Sequence, residues 1–179
     1  GSGLSEGRSA ASLARDLKVY LKEPDKRFRR IRNDQGKLIL SQPAKLYKPG
    51  RGVYRSSYKN ALRLTRNETN IAYRTNDYER VQNLNYVKGI KISLSNAHVV
   101  YDICDEMQGQ YPKEFKFTGW HVQCMCYTTT VLMSRKEFIE YMNTGERKTA
   151  NVTTIPTRAT NYLNSKSSQI KGWSNKPYF

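Results

Sequence analysis

The residues of this chain best suited to chemistry lie close together. One stretch reads Ser95-Asn96-Ala97-His98-x-x-x-Asp102-Ile103-Cys104-Asp105, and a second follows as Gly119-Trp120-His121-x-x-Cys124-x-Cys126. All three cysteines and both histidines of the 179 residues fall within 29 positions. Cys124 and Cys126 are two apart, which on a strand sets both side chains on one face. His98 and Asp102 are four apart and share a face if their loop makes a helical turn. Neutral imidazole and thiolate together suit Zn²⁺ at a tetrahedral site. The candidate ligands are Cys104, His121, Cys124 and Cys126, with His98 and Asp102 in reserve. Ligands on a strand and on a loop would tie two segments together, as structural zinc does. Three alternatives stand beside this. The thiols could simply pack in the core. Cys104 could form a disulfide with Cys124 or Cys126. A Cys–His pair could act as nucleophile and base, although no third orienting group is identifiable.

A second constellation runs Arg63-Leu64-Thr65-Arg66-Asn67-Glu68-Thr69-Asn70-Ile71-Ala72-Tyr73-Arg74. Arg66 and Glu68 are two apart and do not face each other on a helix. Glu68 has no basic residue three or four positions away, so it is expected either to be solvated or to reach across the fold as a structural contact to the 95–120 loop. Arg74 has Asp77 three residues on and could pair with it. The third constellation is basic and aromatic. Arg29, Arg30, Arg32, Lys45, Lys48, Arg51, Arg55, Lys59 and Arg63 are interleaved with Tyr47, Tyr54 and Tyr58, a mixture suited to phosphate contacts with occasional stacking. It suits an acidic protein groove equally well. No helix-turn-helix or zinc-finger spacing is present, which argues against sequence-specific base readout.

The elements that must position these residues follow from pattern. Ser9 caps a short helix to Leu21, with Leu13, Leu17, Tyr20 and Leu21 on one face and Pro24 as its stop. Phe28 to Leu40 reads as a hairpin around Asn33-Asp34-Gln35-Gly36. Residues 41–53, with two prolines and two glycines, read as a loop. A long helix is expected from about Ser56 to Leu84, without Gly or Pro and with Tyr58, Ala61, Leu62, Thr65, Thr69, Ala72 and Tyr73 in helical period. Val87–Leu94 alternates as a strand, residues 95–120 are irregular, and Val122–Met133 reads as a strand rich in Thr, Val and Tyr. Ser134 and Glu137 form a capping box that opens a short helix ended by Gly145. Residues 146–179 read as an extended polar arm. The order predicts an α+β fold: a long central helix on a small antiparallel sheet, an N-terminal hairpin and an extended C-terminal arm. The expected organisation is a cloning scar at 1–3, a basic region at 4–55, a core at 56–145 and the arm at 146–179.

Composition bounds the function. The chain carries 31 Lys and Arg against 15 Asp and Glu, a net charge of +16. Residues 1–66 alone hold 17 basic and 5 acidic residues. Such a block attracts a polyanion through its long-range field and through counterion release. The apolar fraction of 37% is low for a globular domain, so part of the chain is expected to be extended or ordered against partners. No apolar run approaches the roughly 18 residues of a membrane span. Three cysteines are too few, and odd in number, for a disulfide framework, and fit a reducing compartment.

The series Arg66-Asn67-Glu68-x-Asn70-x-Ala72-Tyr73, then His98-x-x-x-Asp102-Ile103-Cys104-Asp105-x-x-x-Gly109-x-Tyr111-Pro112, then Gly119-Trp120-His121-x-x-Cys124-Met125-Cys126-Tyr127, resembles the Mu F-like minor head proteins of tailed phages. It is most similar to the variant of phages with Bacteroides-type hosts, in which Gly7-Arg8-Ser9-Ala10 and the Tyr54–Leu64 stretch also fit. The likeness runs from about Gly7 to Phe179. The wider family has a Cys-x-x-Cys pair where only Cys104 stands here, Tyr101 taking the place of its partner, and has proline where Val122 follows His121. The resemblance implies a non-enzymatic capsid component needed for head assembly or DNA delivery. It would be made in the bacterial host cytoplasm, carried in the virion near the portal and other head proteins, and in contact with packaged DNA. It also implies a region preceding this domain in the full protein. Two other classes remain open: a non-specific nucleic-acid-binding module, and an enzyme such as a nuclease-type toxin or hydrolase. For the enzyme class, both histidines are already taken up in the candidate metal cluster.

Overall fold

The computed structural model describes residues 2–25, 30–50 and 52–172. The chain forms two compact units, residues 1–69 and 70–179.

The first unit begins with a one-turn helix α1 (Ser2–Ser5) and then α2 (Ala10–Leu17), which a 3₁₀ turn extends over Lys18–Tyr20. Ser9 caps α2 as expected, its side chain accepting from the Ser12 N–H at 3.2 Å. The hairpin forms from β1 (Arg30–Arg32) and β2 (Leu38–Leu40), antiparallel with Ile31 opposite Ile39. Its turn closes because Asn33 Oδ1 accepts from the N–H groups of Gln35 and Lys37, at 3.2 and 2.8 Å. A short helix α3 (Gln42–Leu46) interrupts the expected 41–53 loop, with Pro in its first turn, where the missing N–H costs nothing. The long helix α4 (Ser57–Gln82) spans 26 residues and begins in this unit. The residues that pack fully here are small, Ala14, Ala44 and Ala61, all completely buried. That accords with the low apolar content of the N-terminal third.

In the second unit the last turns of α4 lead into β3 (Val87–Ser93), the central strand of a three-stranded antiparallel sheet. A short helix α5 (Ile103–Glu106) precedes β4 (Gly109–Pro112), which pairs with β3, Ile90 opposite Tyr111. The edge position of β4 lets it tolerate Pro112. On the other side of β3 lies β5 (Tyr127–Leu132), with Ile90 opposite Thr130. Helix α6 (Arg135–Thr144) opens on the expected capping box, with both Ser134 and Glu137 bonds made, and ends on Gly145 at φ +71°. The core gathers Val81, Val87, Ile90, Ile92, Met107, Tyr111, Phe117, Trp120 and all three cysteines. Its aromatic rings meet at tilted angles, Phe117 to Trp120 at 4.9 Å and Tyr111 to Phe115 at 4.6 Å. Gln82 Nε2 donates to the Lys113 carbonyl at 2.7 Å and Lys113 Nζ to the Leu84 carbonyl at 2.9 Å, so the end of α4 is fastened to the segment after β4.

The fold is α+β, with the long helix, the hairpin and the small antiparallel sheet that the sequence predicts. Three further expectations need correction. Residues 95–120, expected to be irregular, contain helix α5 and strand β4, whose few apolar positions give no periodic signal in so short a span. The C-terminal segment runs without regular structure only as far as Pro156 and then forms helix α7 (Thr157–Lys171). Ala159 is fully buried and Tyr162 and Leu163 pack against the core, while Arg158 binds Glu106 of α5 at 2.8 Å. The expected strand from Val122 is also shorter: it starts at Tyr127, and Cys124 and Cys126 lie in the turn before it.

Candidate metal centre

Cys104 is set by the first turn of α5. Asp102 is the N-cap, its Oδ1 accepting from the Cys104 N–H at 2.7 Å. Asp105 completes a capping box by accepting from the Asp102 N–H at 2.8 Å. The same Asp105 carboxylate lies 2.9 Å from Nε2 of His98. That hydrogen bond raises the His98 pKa, while the Asp102 N–H first and His98 second hold Asp105 below the usual carboxylate range.

The second group of ligands comes from a tight turn. The Cys124 N–H donates to the His121 carbonyl at 3.0 Å, and Gln123 takes φ +62°, a left-handed conformation uncommon outside glycine. Cys126 follows immediately. Sequence spacing suggested two sulfurs on one strand face, and it is this turn that brings them inward instead. The N–H groups of Trp120 and Cys126 hydrogen-bond the Cys124 sulfur.

These two pieces meet. Cys104 Sγ lies 3.8 Å from Cys124 Sγ and 3.1 Å from His121 Nε2. Two overlapping sets, Cys104–His121–Cys124 and His98–Asp102–Cys104, each offer ligand atoms within 4.8 Å of one another. All three cysteines are free thiols and buried. Bonds to Cys104 and Cys126 and the two backbone N–H groups drive the Cys124 thiol strongly down, whereas the bonds from Cys104 to Cys124 and Cys126, with burial, drive Cys104 strongly up. The bond to Cys104 pulls Cys126 down, but Cys124 and burial outweigh it and leave Cys126 at about 12.

The donor set fits a cation. A backbone carbonyl only accepts, so the 2.9 Å contact of His121 Nδ1 with the Val122 carbonyl commits the ring proton to Nδ1. The lone pair on Nε2 then faces Cys104 Sγ and, at 3.3 Å, Asp102 Oδ2. Two sulfurs and an imidazole nitrogen within 4.8 Å of one another are donor types that one metal ion can bridge. The sulfur separation also matches the ~3.8 Å edge of a tetrahedron with metal–sulfur bonds of ~2.3 Å. His98 Nε2 lies 2.9 Å from Asp105 and 3.8 Å from Asp102 Oδ1 at the edge of the cluster.

One residue that organises this turn was not singled out by sequence reasoning. Arg74, on α4, could by spacing pair with Asp77. Asp77 instead accepts from Arg80 at 3.2 Å. The Arg74 guanidinium donates to three carbonyls, of Thr118 at 2.8 Å, Cys124 at 2.7 Å and Cys126 at 2.8 Å, and lies 4.9 Å over the Phe117 ring. Its partners are main-chain groups, which no residue pattern announces. Of the two readings open for Glu68, the structure shows the solvated one and not the contact to the 95–120 loop. Glu68 and Arg66 are both exposed, and among the described residues the Glu68 carboxylate only accepts from the adjacent Asn67 amide, at 3.3 Å. Helical phase turns it outward, while Thr65 and Asn67 are buried.

Of the basic candidates, Arg30, Arg32, Lys45, Lys48, Arg55 and Lys59 are exposed and Arg63 is partly buried. Arg29 and Arg51 lie outside the described residues. Several guanidinia hold loops as well: Arg32 donates to the Gly36 carbonyl at 2.7 Å, Arg55 to Tyr47 at 3.0 Å and Arg63 to Gly52. No helix among the described residues is long and apolar enough to cross a membrane. Compared with known proteins, the chain matches no family model, no curated protein and no solved structure.

Proposed function

We propose that this chain is a structural component of a tailed-phage head, of the Mu F-like kind, whose fold is stapled by a zinc ion and whose basic N-terminal unit touches packaged DNA near the portal. The observation that carries it is the convergence of Cys104, His121 and Cys124 across 20 residues of sequence. These are the positions on which the resemblance rests. Zinc is the ion chosen because thiolate and imidazole ligands at tetrahedral spacing favour it. The exposed Arg30, Arg32, Lys45, Lys48, Arg55 and Lys59 support the DNA contact. Against a thiol nucleophile, Cys104 and Cys124 are each only 1% exposed, which closes both sulfurs to a substrate.

The test joins two assays. The protein should co-purify with a portal protein of the same phage. It should also bind random-sequence duplex with an affinity that falls steeply with salt, by about 0.9 log unit per log unit of salt for each phosphate neutralised. Binding to DNA without binding to portal would favour the second reading, a free-standing nucleic-acid-binding module, which the same exposed basic residues support. Neither binding would refute both.

A further inference from the structure

The Cys124–Cys126 turn has no strand ladder to hold it, since β5 begins only at Tyr127. Its carbonyls must find donors elsewhere, because a buried carbonyl left unmade costs free energy. Arg74 supplies them. One planar guanidinium reaches Thr118 on one side of the aromatic segment and Cys124 and Cys126 on the other. Phe117 stacks beneath it at 4.9 Å. Gly119 leaves room for it, since a Cβ there would stand 2.6 Å from Nη1. Among the described residues Arg74 makes no ion pair, so its charge is spent on these carbonyls and on the sulfur cluster behind them.

We propose that Arg74 is the positioning residue of the metal centre: it holds the 118–126 segment in a ligand-ready geometry before any ion arrives, and it offsets the negative charge that thiolate ligation builds up. This rests on the zinc reading of the cluster. Turning the carbonyls of Cys124 and Cys126 out toward Arg74 frees the intervening backbone to present the two sulfurs inward. A carbonyl-bound guanidinium thus does for this turn what a hydrogen-bonded carboxylate does for a metal-bound histidine. The three contacts need the fork of arginine. Lysine offers a compact charge with the same sign but cannot span three carbonyls in one plane.

The experiment uses the whole chain with cobalt(II) as a spectroscopic probe in place of zinc. Wild type, Arg74→Met and Arg74→Lys are titrated with cobalt(II), and the thiolate charge-transfer and ligand-field bands are read with the affinity. Wild type should show tetrahedral thiolate bands. Arg74→Met should bind about 10- to 100-fold more weakly, the usual cost of losing an outer-sphere support, with bands of lower intensity. Arg74→Lys should fall between them. Hydrogen exchange of metal-free protein separates positioning from general loosening. In Arg74→Met the amides of 118–126 should exchange faster while those of β3 keep their protection, and Arg74→Lys serves if the Met variant fails to fold. Cobalt affinity and band shape in Arg74→Met within about twofold of wild type overturn the role of Arg74 and leave the metal reading standing. Wild type that takes up neither cobalt nor zinc overturns both.

Discussion

Replacing Gly119 by alanine tests the geometry of the cysteine turn without replacing a candidate ligand. Gly119 holds φ +125°, a conformation that L side chains rarely adopt. Its added Cβ would lie 2.6 Å from Arg74 Nη1 and 3.3 Å from Cys124 Cβ. Backbone strain of this kind costs about 1–3 kcal/mol. Displacing Nη1 from the Thr118 carbonyl weakens a charged hydrogen bond, a loss of about 1.5–3 kcal/mol. The guanidinium is the end of a flexible side chain and gives way in part, so we expect a destabilisation of about 3 kcal/mol. Gly145→Ala is the control. It occupies φ +71° at the end of α6 with nothing within 4 Å of its Cβ position. Only the left-handed penalty of about 1–2 kcal/mol applies there. Urea unfolding of wild type and both variants, with unchanged denaturant slopes, reads the difference directly. If Gly119→Ala unfolds at the same urea concentration as Gly145→Ala, the close approach of Arg74 to residue 119 carries no energy and the clamp is not as described.

Protein purified without chelator should contain about one zinc per chain and lose its melting stability when chelator is added, because a site assembled only on folding couples metal to stability. Less than about half an equivalent in elemental analysis reduces the cluster to packed thiols. Glu68→Ala should unfold within about 0.5 kcal/mol of wild type, as a solvated carboxylate does. A larger loss by denaturant titration would contradict its exposed placement. Ser134→Ala should cost about 1 kcal/mol through loss of the α6 cap, measured by thermal or urea unfolding. Glu137, held below its usual pKa first by the Ser134 N–H, contributes stability that is present above the unfolded-state value of 4.5 and lost as pH falls through the folded one. Glu137→Gln should therefore flatten the acid limb of a stability–pH profile.

Where local chemistry decides structure, the sequence is readable. The Ser9 and Ser134 caps, the Asn33–Gly36 turn and the uninterrupted 57–82 helix each depend on residues within a few positions of one another. The candidate metal cluster was legible as composition, because histidine and cysteine occur nowhere else in the chain. Its geometry was not. Thr, Val and Tyr after Val122 suggest a strand throughout, yet the left-handed Gln123 and the three carbonyls bound by Arg74 keep Cys124 and Cys126 off the sheet. Asp102 was a reserve metal ligand by spacing, and its cap duty toward α5, shared with Asp105, shows only in three dimensions. Helix α7 was hidden for a different reason. Its buried face reduces to Ala159 with Tyr162 and Leu163 half-covered, too thin a stripe to stand out in a polar segment.

The β5 strand has a consequence for handling the protein. It lies at the margin of its sheet, so one row of its backbone donors and acceptors has no ladder partner among the described residues. Tyr127–Leu132 contains no charge and no proline, and four of its six residues are exposed. Such a segment templates edge-to-edge association between molecules. Arg135 and Lys136 shortly after it, and the overall charge of +16, oppose such association by repulsion between like charges. Solubility thus depends on electrostatics at long range, and it should decline as salt shortens that range. Thr129→Lys, which places a charge on the strand itself, should raise the salt concentration at which light scattering first detects aggregates.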